Sequence, residues 1–556
     1  MMRFRTTSLV VILRGLYVAL CAAMVLSIFL PVPAHAQAQA VLTRHMHEAV
    51  SSGQAVYLGR LPATQSLRLD IVLPLRNESE LDELLPQLYD SQSPSYRQFL
   101  SVEEFTERFG PSQADYDALV SYAQANGLTV TGTAPNRMLV NVTGSVANIE
   151  QAFHTVLGVY QHPTEDRAFY APEQEPTTHL PFALWHITGL DNFSIPRPAS
   201  LRREPKARGG TTGSGPSGSF LGSDMRAAYY GGTALTGKGQ SVGLAEFAGY
   251  NVTDVQNYFS QVKQPLNVTI AGVSTDGSSL NCTGSCDDTE QALDIEEAIS
   301  MAPGMTSALV YVSDSSDVSI FNKMASDNIA KQLSCSWGWS PADPSSDDPI
   351  FKEFAAQGQN LFVASGDSDA YSSRSMYVYP ADDAYVTSVG GTDLTTNGAG
   401  GPWASEVAWT PSSGGGISPN RIAIPDYQMT KGVITTANKG STTYRNSPDV
   451  AAEANTDNYI CYDSTCAGGW GGTSFAAPRW AGYLALANQQ AVANGKGTLG
   501  FLNPTLYSIG LGSSYGANFH DITSGNNRTY SAVKGYDLVT GWGSPNGTGL
   551  LNTLAP

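Results

Sequence analysis

Ser474 is the residue whose surroundings most directly suggest chemistry. It lies in the stretch GGTSFAAP, after two glycines and a threonine and before an apolar run that predicts a helix. A serine hydroxyl at such a turn is well placed for nucleophilic attack, but it needs a neighbouring base to accept its proton. The question is which residue of this chain is the base.

Histidine is the usual base for such a serine, but the region around Ser474 contains almost none. Only one of the eight histidines follows the serine, and none of the others lies after residue 190. That one, His520, precedes an aspartate that resembles a metal ligand, so we do not expect it to be the base. A triad with an upstream histidine in the same domain is excluded. The eight are His35, His45, His47, His154, His162, His179, His186 and His520.

Carboxylates are the remaining candidates. The segment DDTEQALDIEEAIS predicts an acidic helix, in which Glu290 and Asp294 are spaced i, i+4 and share one face. Like charges at this spacing destabilise a helix. The pair is therefore either part of a solvated acidic face or a coupled pair that shares a proton and serves as base and orienter. The pattern alone leaves both readings open.

The beginning of the chain is typical of a secretory signal peptide over residues 1–36. Arg3, Arg5 and Arg14 form a basic region, an apolar run extends from Leu16 to Val32, and Ala34-His35-Ala36 is a small-residue cleavage site. A membrane anchor is the alternative, but the run is short, and no later stretch is long and apolar enough to span a bilayer. We predict secretion to the extracellular space or periplasm, with no membrane contact after the signal is removed.

Composition and patterning divide the remaining chain into three parts. Residues 37–195 predict an α+β domain, including a Ser101-x-x-Glu104 capping box. Residues 196–219 form a basic linker rich in Pro, Gly and Ser, which predicts flexibility. In residues 220–556 strand-like runs alternate with helical patterns, which predicts a parallel α/β sheet with ligands at its strand C-termini. This last part has 30 acidic and 15 basic residues and the whole chain has a net charge of −18, so nucleic acid is not expected as a partner.

The cysteines predict two short-range disulfides. Cys282 and Cys286 lie close together, as do Cys461 and Cys466, and disulfides are typical of exported proteins. A zinc site is the weaker alternative, because no histidine lies near either pair. Cys335 is left over and is expected to be a small buried apolar residue.

Several motifs in the same order resemble the sedolisin family, the serine-carboxyl peptidases, and its kumamolisin-like members in particular. They extend from about Ala40 to the C-terminus and include GGTSFAAP, EQALDIEEA, ASGDSD, SCSWG, YPADDAYVTSVGGTDL, EVAWTPSSGGGIS, SPDVAAEA and GFLNPTLY. PSYRQFLSVEEFTERFGPS resembles the family's activation prodomain. The resemblance implies a subtilisin-like parallel sheet flanked by helices, preceded by an α+β prodomain that inhibits the enzyme.

The resemblance also implies roles for individual residues. Ser474 corresponds to the nucleophile, Glu290 to the general base, Asp294 to its orienting partner and Asp367 to the oxyanion-hole aspartate. Two further residues, Glu246 and Trp337, match positions that extend the hydrogen-bond network in kumamolisin-like members. The chain departs from the family at Asp369, where glycine is usual.

This arrangement suits acid pH. An oxyanion needs donors, so Asp367 must keep its proton, and an ordinary aspartate titrates near pH 3.9. Glu290 is expected to remain a usable base at low pH, where a histidine would be protonated.

The segment HDITSGNNRTYSAVKGYDLVTGWGSP resembles the calcium site of the family and implies one Ca²⁺ ion. Calcium favours carboxylate and carbonyl oxygens. The alternative is an ordinary turn whose aspartates cap backbone N–H groups. The implied ligands are the carboxylates of Asp521 and Asp537 and the carbonyls of Ile522, Val533 and Gly535.

These expectations combine into a secreted, acid-acting serine-carboxyl endopeptidase that hydrolyses polypeptides and is made as a self-processing proenzyme. The prodomain would act as an intramolecular inhibitor with its linker in the cleft, and the cut would fall between Ile195 and Asp224. The alternatives are a tripeptidyl-peptidase of the same family and a non-catalytic secreted binding protein on this fold.

Overall fold

The computed structural model describes residues 39–199, 202–203, 212–282, 286–342, 344–372 and 377–556. The predicted signal peptide over residues 1–36, with Cys21, lies outside the described residues, as do parts of the predicted linker. The described residues form an N-terminal α+β domain and a larger C-terminal α/β domain.

The N-terminal domain contains a four-stranded antiparallel sheet in the order β4-β5-β3-β9 and a three-stranded sheet in the order β2-β6-β7. Its strands are β1 (Gln39–Ala40), β2 (Val56–Arg60), β3 (Ser66–Val72), β4 (Thr129–Thr133), β5 (Leu139–Ser145), β6 (Leu157–Gln161), β7 (Ala168–Pro172), β8 (Thr177–Thr178) and β9 (His186–Thr188). Its helices are α1 (Glu48–Ser51), α2 (Glu78–Tyr89), α3 (Val102–Arg108), α4 (Gln113–Ala125) and α5 (Val146–Phe153). The predicted capping box is confirmed at the start of α3, where Ser101 and Glu104 cap each other's backbone N–H.

The C-terminal domain is built on an eight-stranded sheet in the order β13-β14-β12-β15-β17-β18-β19, with β22 also paired to β18. All pairs are parallel except β18 with β19, which confirms the predicted parallel α/β sheet. The sheet strands are β12 (Ser241–Glu246), β13 (Thr269–Ser274), β14 (Ser307–Val312), β15 (Gln332–Cys335), β17 (Asn360–Ala364), β18 (Thr387–Thr396), β19 (Trp403–Ala408) and β22 (Val450–Glu453).

Shorter strands and ten helices surround this sheet in the described ranges. The strands are β10 (Arg197–Pro198), β11 (Arg202–Arg203), β16 (Trp337–Gly338), β20 (Gly416–Ile417), β21 (Asn446–Ser447), β23 (Asn458–Tyr462), β24 (Thr465–Gly471), β25 (Phe519–His520) and β26 (Ser544–Pro545). The helices are α6 (Gly222–Tyr229), α7 (Val252–Gln261), α8 (Thr289–Met301), α9 (Asp317–Asp327), α10 (Asp348–Ala356), α11 (Asp426–Met429), α12 (Thr473–Ala493), α13 (Asn503–Gly510), α14 (Tyr515–Asn518) and α15 (Gly547–Leu554).

Helices α8 and α12 carry the residues of interest and pack closely on each other. Gly482 of α12 makes this approach possible, because a Cβ there would lie 2.9 Å from the Ala298 carbonyl oxygen of α8. A buried ion pair, with Arg479 Nε 2.7 Å from Glu297 Oε2, also joins the two helices. The positions of α8 and α12 are therefore fixed relative to one another.

The two domains share one hydrophobic cluster. Leu81, Leu85 and Leu88 of α2 belong to the same buried cluster as Phe351 and Phe354 of α10. Burial of this apolar surface stabilises the docked N-terminal domain.

A buried polar contact accompanies the apolar one. Asn136 donates through its side-chain amide to Asn322 Oδ1 at 2.8 Å and to Glu353 Oε2 at 2.9 Å. The polar groups at this part of the interface are therefore satisfied within the protein, as burial requires.

The segment between the domains differs from the predicted flexible linker at four residues. Arg197–Pro198 pairs antiparallel with Trp337–Gly338, and Arg202–Arg203 pairs antiparallel with Trp470–Gly471. Both partners belong to the C-terminal domain. Backbone pairing of this kind has no signature in a Pro- and Arg-rich sequence, so composition alone indicated only a linker.

Both predicted disulfides are confirmed, with S–S distances of 2.01 Å for Cys282–Cys286 and 1.94 Å for Cys461–Cys466. Cys335 is a free, fully buried cysteine within the hydrophobic core, as expected. In the ranges that the structure describes, no helix has the length and apolar character needed to cross a membrane.

Several histidines of the N-terminal domain are packed inside it. His45 and His186 stack with ring centroids 4.6 Å apart. Burial, and then the neighbouring His45, lower the pKa of His186 well below its ordinary value. His47 stacks on Phe193, and burial lowers its pKa to about 4. The imidazoles of His47 and His186 therefore gain a proton only at lower pH than an ordinary histidine.

Candidate active site

Ser474 is the second residue of α12 and is fully buried. Pro478 follows four residues later and has no N–H to donate to the Ser474 carbonyl, so this carbonyl is free of the helical hydrogen bond. The Ser336 hydroxyl lies 3.3 Å from that carbonyl oxygen and 2.8 Å from Asp294 Oδ1. The proline of the motif thus lets Ser336 connect the serine's backbone to α8.

Glu290 and Asp294 lie on α8, and all thirteen residues of this helix are buried. The alternative of a solvated acidic face is therefore wrong. Burial, and then the charge of Asp294, raise the pKa of Glu290 well above its ordinary value. Burial, and then the charge of Glu246, raise the pKa of Asp294 well above its ordinary value. The two carboxyl groups form the coupled pair that the spacing allowed.

Ser474 and Glu290 are neighbours without being firmly bonded. The Ser474 hydroxyl lowers the pKa of Glu290, but neither Ser474 Oγ nor the Glu290 carboxylate oxygens have a hydrogen-bond partner of normal geometry among the described residues. Catalytic hydrogen bonds are often long until the reacting complex forms. The absence of a firm bond in this structure is therefore compatible with a reacting pair.

Glu246 and Trp337 extend this network. The Trp337 indole N–H donates to Glu246 Oε2 at 2.9 Å, and Glu246 in turn interacts with Asp294. Burial raises the pKa of Glu246 to about 8. Three buried carboxyl groups in a row cannot all be ionised, so they share protons.

Asp367 reaches the serine from a different part of the chain, three residues after β17 ends at Ala364. Its Oδ1 accepts hydrogen bonds from the Thr473 backbone N–H and hydroxyl, both at 2.8 Å. Thr473 directly precedes the serine, so these bonds hold Asp367 beside it.

Asp369 stands where the family usually has glycine. It adopts φ 67°, the left-handed region where glycine is favoured. Its side chain forms an ion pair with Arg528, whose Nε lies 2.6 Å from Asp369 Oδ2. The loop therefore keeps a glycine-like backbone and gains a partner for the added carboxylate.

The residues singled out from the sequence thus meet at the carboxyl ends of the parallel strands. Glu246 ends β12, Ser336 and Trp337 follow β15, and Asp367 follows β17, as expected for a parallel sheet. His520 is not part of this group: it stacks on Trp403 with ring centroids 3.8 Å apart, and burial lowers its pKa to about 4.

Sequence reasoning missed two residues, Ser336 and Thr473. Both lie inside recognised motifs, but their contacts reach residues 42 and 106 positions away in the sequence, and no spacing along the chain encodes such contacts. Their hydroxyls orient Asp294 and Asp367.

A cavity of about 210 Å³ opens beside Asp367. Ala199, from the segment between the domains, lines it together with residues of the Asp367 loop. The cavity is also lined by Ser365, Gly366, Ser368, Asp369, Tyr371, Tyr377, Val378 and Gly414.

The loop expected to bind calcium has donors of the right chemistry. Asp537 is fully buried, and its carboxylate accepts hydrogen bonds from the backbone N–H groups of Val533, Val539 and Thr540, as the capping alternative also predicts. Asp521 Oδ1 accepts from the Gly535 N–H at 3.0 Å, which brings two segments of the loop together. The carbonyls of Ile522, Val533 and Gly535 accept no hydrogen bond from other described residues. Two carboxylates and three carbonyls fit a hard cation.

Comparison with known proteins identifies both domains. The Pro-kumamolisin activation domain family matches residues 53–193, and the Subtilase family matches residues 266–500. The solved structure of Pseudomonas sedolisin, a serine-carboxyl proteinase complexed with two molecules of pseudo-iodotyrostatin, aligns with a TM-score of 0.52 and 27% identity over 60% of this chain and 96% of that chain.

Curated relatives extend over nearly the whole chain. Kumamolisin of Bacillus sp. (strain MN-32) is 31% identical over 92% of this chain and 95% of its own length. Sedolisin of Pseudomonas sp. (strain 101) is 29% identical over 89% of this chain and 88% of its own length. Human tripeptidyl-peptidase 1 is 27% identical over 90% of this chain and 93% of its own length.

The fold and the site together therefore define a serine peptidase with a subtilisin-like sheet, preceded by an activation domain. More narrowly, the chain belongs to the sedolisin family of serine-carboxyl peptidases.

Proposed function

We propose that this protein is a secreted, acid-acting endopeptidase in which Ser474 is the nucleophile, Glu290 the base, Asp294 its orienting partner and Asp367 the oxyanion donor. The supporting observation is that these side chains come from three separate segments and interact: besides burial, Asp294, Ser474 and Asp367 all act on the pKa of Glu290. Glu246 and Trp337 support Asp294 from behind.

The chemistry follows from these positions. Ser474 Oγ attacks the peptide carbonyl carbon while Glu290 takes its proton and then gives it to the leaving amine. The protonated Asp367 carboxyl group donates to the developing oxyanion at the helix N-terminus, where the helix dipole also favours negative charge. Water then hydrolyses the acyl-enzyme by the same route.

The protonation of Glu290 differs from that of an ordinary glutamate. Burial and then Asp294 raise its pKa, and we expect the group of Glu290, Asp294 and Glu246 to share protons and to act as a base once it has lost one of them. Activity then rises with the first deprotonation of this group and falls when Asp367 loses its proton. Two such titrations give a bell-shaped profile, and the family resemblance implies that it is centred below pH 7.

An endopeptidase is favoured over a tripeptidyl-peptidase by the course of the interdomain segment. Arg197 and Pro198 pair with the cleft strand β16, and the chain continues on the N-terminal side, where the Ser194 hydroxyl donates to the Pro341 carbonyl at 2.5 Å. The chain thus continues in the N-terminal direction beyond Arg197 while it stays in contact with the C-terminal domain. Such a course supports a cleft open at that end, with no requirement for a free amino group.

The test is an internally quenched peptide with an acetylated N-terminus, assayed from pH 3 to pH 8 alongside the same peptide with a free N-terminus. We expect comparable kcat/KM for the two peptides and a maximum rate below pH 7. Cleavage restricted to the free peptide would establish the tripeptidyl-peptidase alternative. An optimum at pH 8–9 would contradict the role of Asp367, and no cleavage at any pH would favour a binding protein.

Secretion and self-processing belong to the same proposal. The signal-peptide pattern over residues 1–36, the two disulfides and the sequence match of the activation domain support an exported proenzyme. The prodomain would inhibit by covering the cleft with its own chain, and its removal would follow cleavage between Ile195 and Asp224.

We also propose that one Ca²⁺ ion binds the loop of Asp521, Ile522, Val533, Gly535 and Asp537. The ion would neutralise the buried Asp537 carboxylate and join the two segments of the loop. Its contribution is to stability, since the loop carries none of the proposed catalytic side chains.

Calcium removal should therefore destabilise the protein. With calcium at about a thousand times its Kd, binding contributes about 4 kcal/mol, so exhaustive chelation should lower the thermal midpoint by roughly 5 °C or more. Asp521→Asn should abolish this sensitivity. Scanning calorimetry with and without chelator measures the effect, and an unchanged midpoint and activity after chelation would rule out the site.

A further inference from the structure

The hairpin formed by β23 and β24 lies directly before the nucleophile. The Cys461–Cys466 disulfide closes it at its turn. One edge of β24 pairs with β23, and the other pairs with the interdomain strand β11. Gly471, the last residue of β24, is three residues before Ser474. The hairpin thus forms one wall of the cleft.

The described residues of the interdomain segment contact the C-terminal domain at two places, one at Ser336 and the other at Trp470 and Gly471. On one side the Ala199 N–H donates to the Ser336 carbonyl oxygen at 3.0 Å, and Ala199 lines the cavity beside Asp367. On the other side Arg202 is paired with Gly471 and Arg203 with Trp470. These two contacts of Ala199 favour it as the residue whose carbonyl Ser474 attacks. In this register Arg203 is the fourth residue after the Ala199–Ser200 bond.

Trp470 provides a platform for the Arg203 side chain. The guanidinium carbon lies 5.5 Å from a ring centroid of Trp470, within the range of a cation–π interaction. Tyr462 packs edge-on against the same ring at 4.9 Å. The indole face is thus fixed in place and carries a cation in the docked state.

The strand β24 can bind more than its own linker. When the interdomain segment leaves, the N–H and C=O groups that paired with β11 become those of an edge strand, and an extended peptide can add there in the same antiparallel manner. Backbone pairing provides affinity for any sequence, and the Trp470 face provides selectivity at one position.

We propose that β24 and Trp470 form a binding subsite for the C-terminal side of the substrate, which prefers arginine at the fourth residue after the scissile bond. In the proenzyme the same subsite holds Arg203 and directs the processing cut to Ala199–Ser200. There Ser474 Oγ gives its proton to Glu290 and bonds the Ala199 carbonyl carbon, the C–N bond breaks, and the Ser200 amine takes that proton from Glu290. Water then releases the Ala199 carboxylate and regenerates Ser474. This inference rests on the proposed peptidase function.

The acidic C-terminal domain would attract any cation, so the test must separate stacking from general attraction. The full-length chain is activated at acid pH and assayed with a blocked, quenched peptide of residues 195–206, IPRPASLRREPK, and with versions carrying alanine or lysine at the position of Arg203. We expect kcat/KM to be about three- to five-fold higher for arginine than for alanine, as a surface cation–π contact provides. Lysine should be intermediate, and the ratio should persist in 0.5 M salt, which screens general attraction.

Variants of the enzyme provide the matched control. Trp470→Phe should retain most of the arginine preference, whereas Trp470→Leu should bring the ratio to about one. Because the ratio compares two peptides within one enzyme, a change in folding or in overall rate does not affect it. An arginine-to-alanine ratio near one in the wild type, or the same ratio in Trp470→Leu, would overturn the subsite.

Mass spectrometry of the products tests the register. We expect IPRPA and SLRREPK, and a precursor whose first new N-terminus is Ser200. A cut at any other bond would overturn the register. If the wild type cleaves the peptides without discrimination only this inference fails, whereas cleavage of no peptide between pH 3 and pH 8 refutes the peptidase function itself.

Discussion

A precursor carrying Ser474→Ala should remain at full length during incubation at pH 4, whereas the wild type should lose its prodomain under the same conditions. Removing a nucleophile from a serine peptidase typically lowers kcat by about 10⁶, so no turnover should be measurable with a quenched peptide. Glu290→Gln should lower kcat by nearly as much, because a glutamine side chain has almost the shape of glutamate but cannot accept the serine's proton.

The readouts are the electrophoretic mobility of the precursor and kcat for a blocked peptide. Glu103→Gln, on the exposed side of α3, is the matched control and should behave as the wild type. Maturation of the Ser474→Ala precursor at the interdomain segment would mean that another enzyme processes it. Full turnover by Glu290→Gln would remove the base assignment.

The protein should become less stable as the pH rises from 4.5 to 8. Burial raises the pKa of Glu353 to about 8, although Asn136 and Gln357 donate hydrogen bonds to it. Its folded pKa lies above the unfolded value, so its contribution is complete below about pH 4.5 and is lost as the pH approaches 8. At pH 7 this single group lowers the free energy of unfolding by about 3 kcal/mol relative to pH 4.5. Burial likewise raises the pKa values of Glu246 and Asp383 to about 8.

The buried histidines act in the opposite direction. His47 and His520 have pKa values lowered to about 4, so each favours unfolding as the pH falls from 6.5 towards 4. The carboxyl groups with raised pKa values outnumber these histidines. We therefore expect the free energy of unfolding to be higher at acid pH.

Thermal denaturation of the precursor at pH 4.5, 6 and 8 measures the balance. The Glu353→Gln variant should show a shallower dependence than the wild type, because an amide does not titrate. A thermal midpoint that rises steadily from pH 4.5 to pH 8 would contradict this account.

The sequence predicted the parts of the site that depend on short spacings. Glu290 and Asp294 are one helical turn apart, and Ser474 follows a glycine-rich turn, so local periodicity was enough to single them out. Glu246 ends β12 and Asp367 follows the end of β17, and only the family resemblance indicated them. Ser336 and Thr473 were not found, because their hydrogen bonds depend on how distant segments pack.

The interdomain segment illustrates the limit most clearly. Its proline, glycine and arginine content predicted a flexible connection, yet four of its residues pair with strands of the cleft. Backbone N–H and C=O groups make these bonds, and every residue type except proline has both. Composition therefore cannot distinguish a free linker from one bound as a strand.

The distribution of imidazole rings provides a way to follow maturation without a substrate. Residues 37–195 contain six histidines and residues 220–556 contain one, His520. In a proton NMR spectrum, departure of the prodomain would therefore remove six imidazole spin systems from the slowly tumbling enzyme and leave one, held against Trp403. The mature enzyme would also have almost no histidine to buffer it between pH 5 and pH 8, so protons taken up in that interval report directly on its buried carboxyl groups.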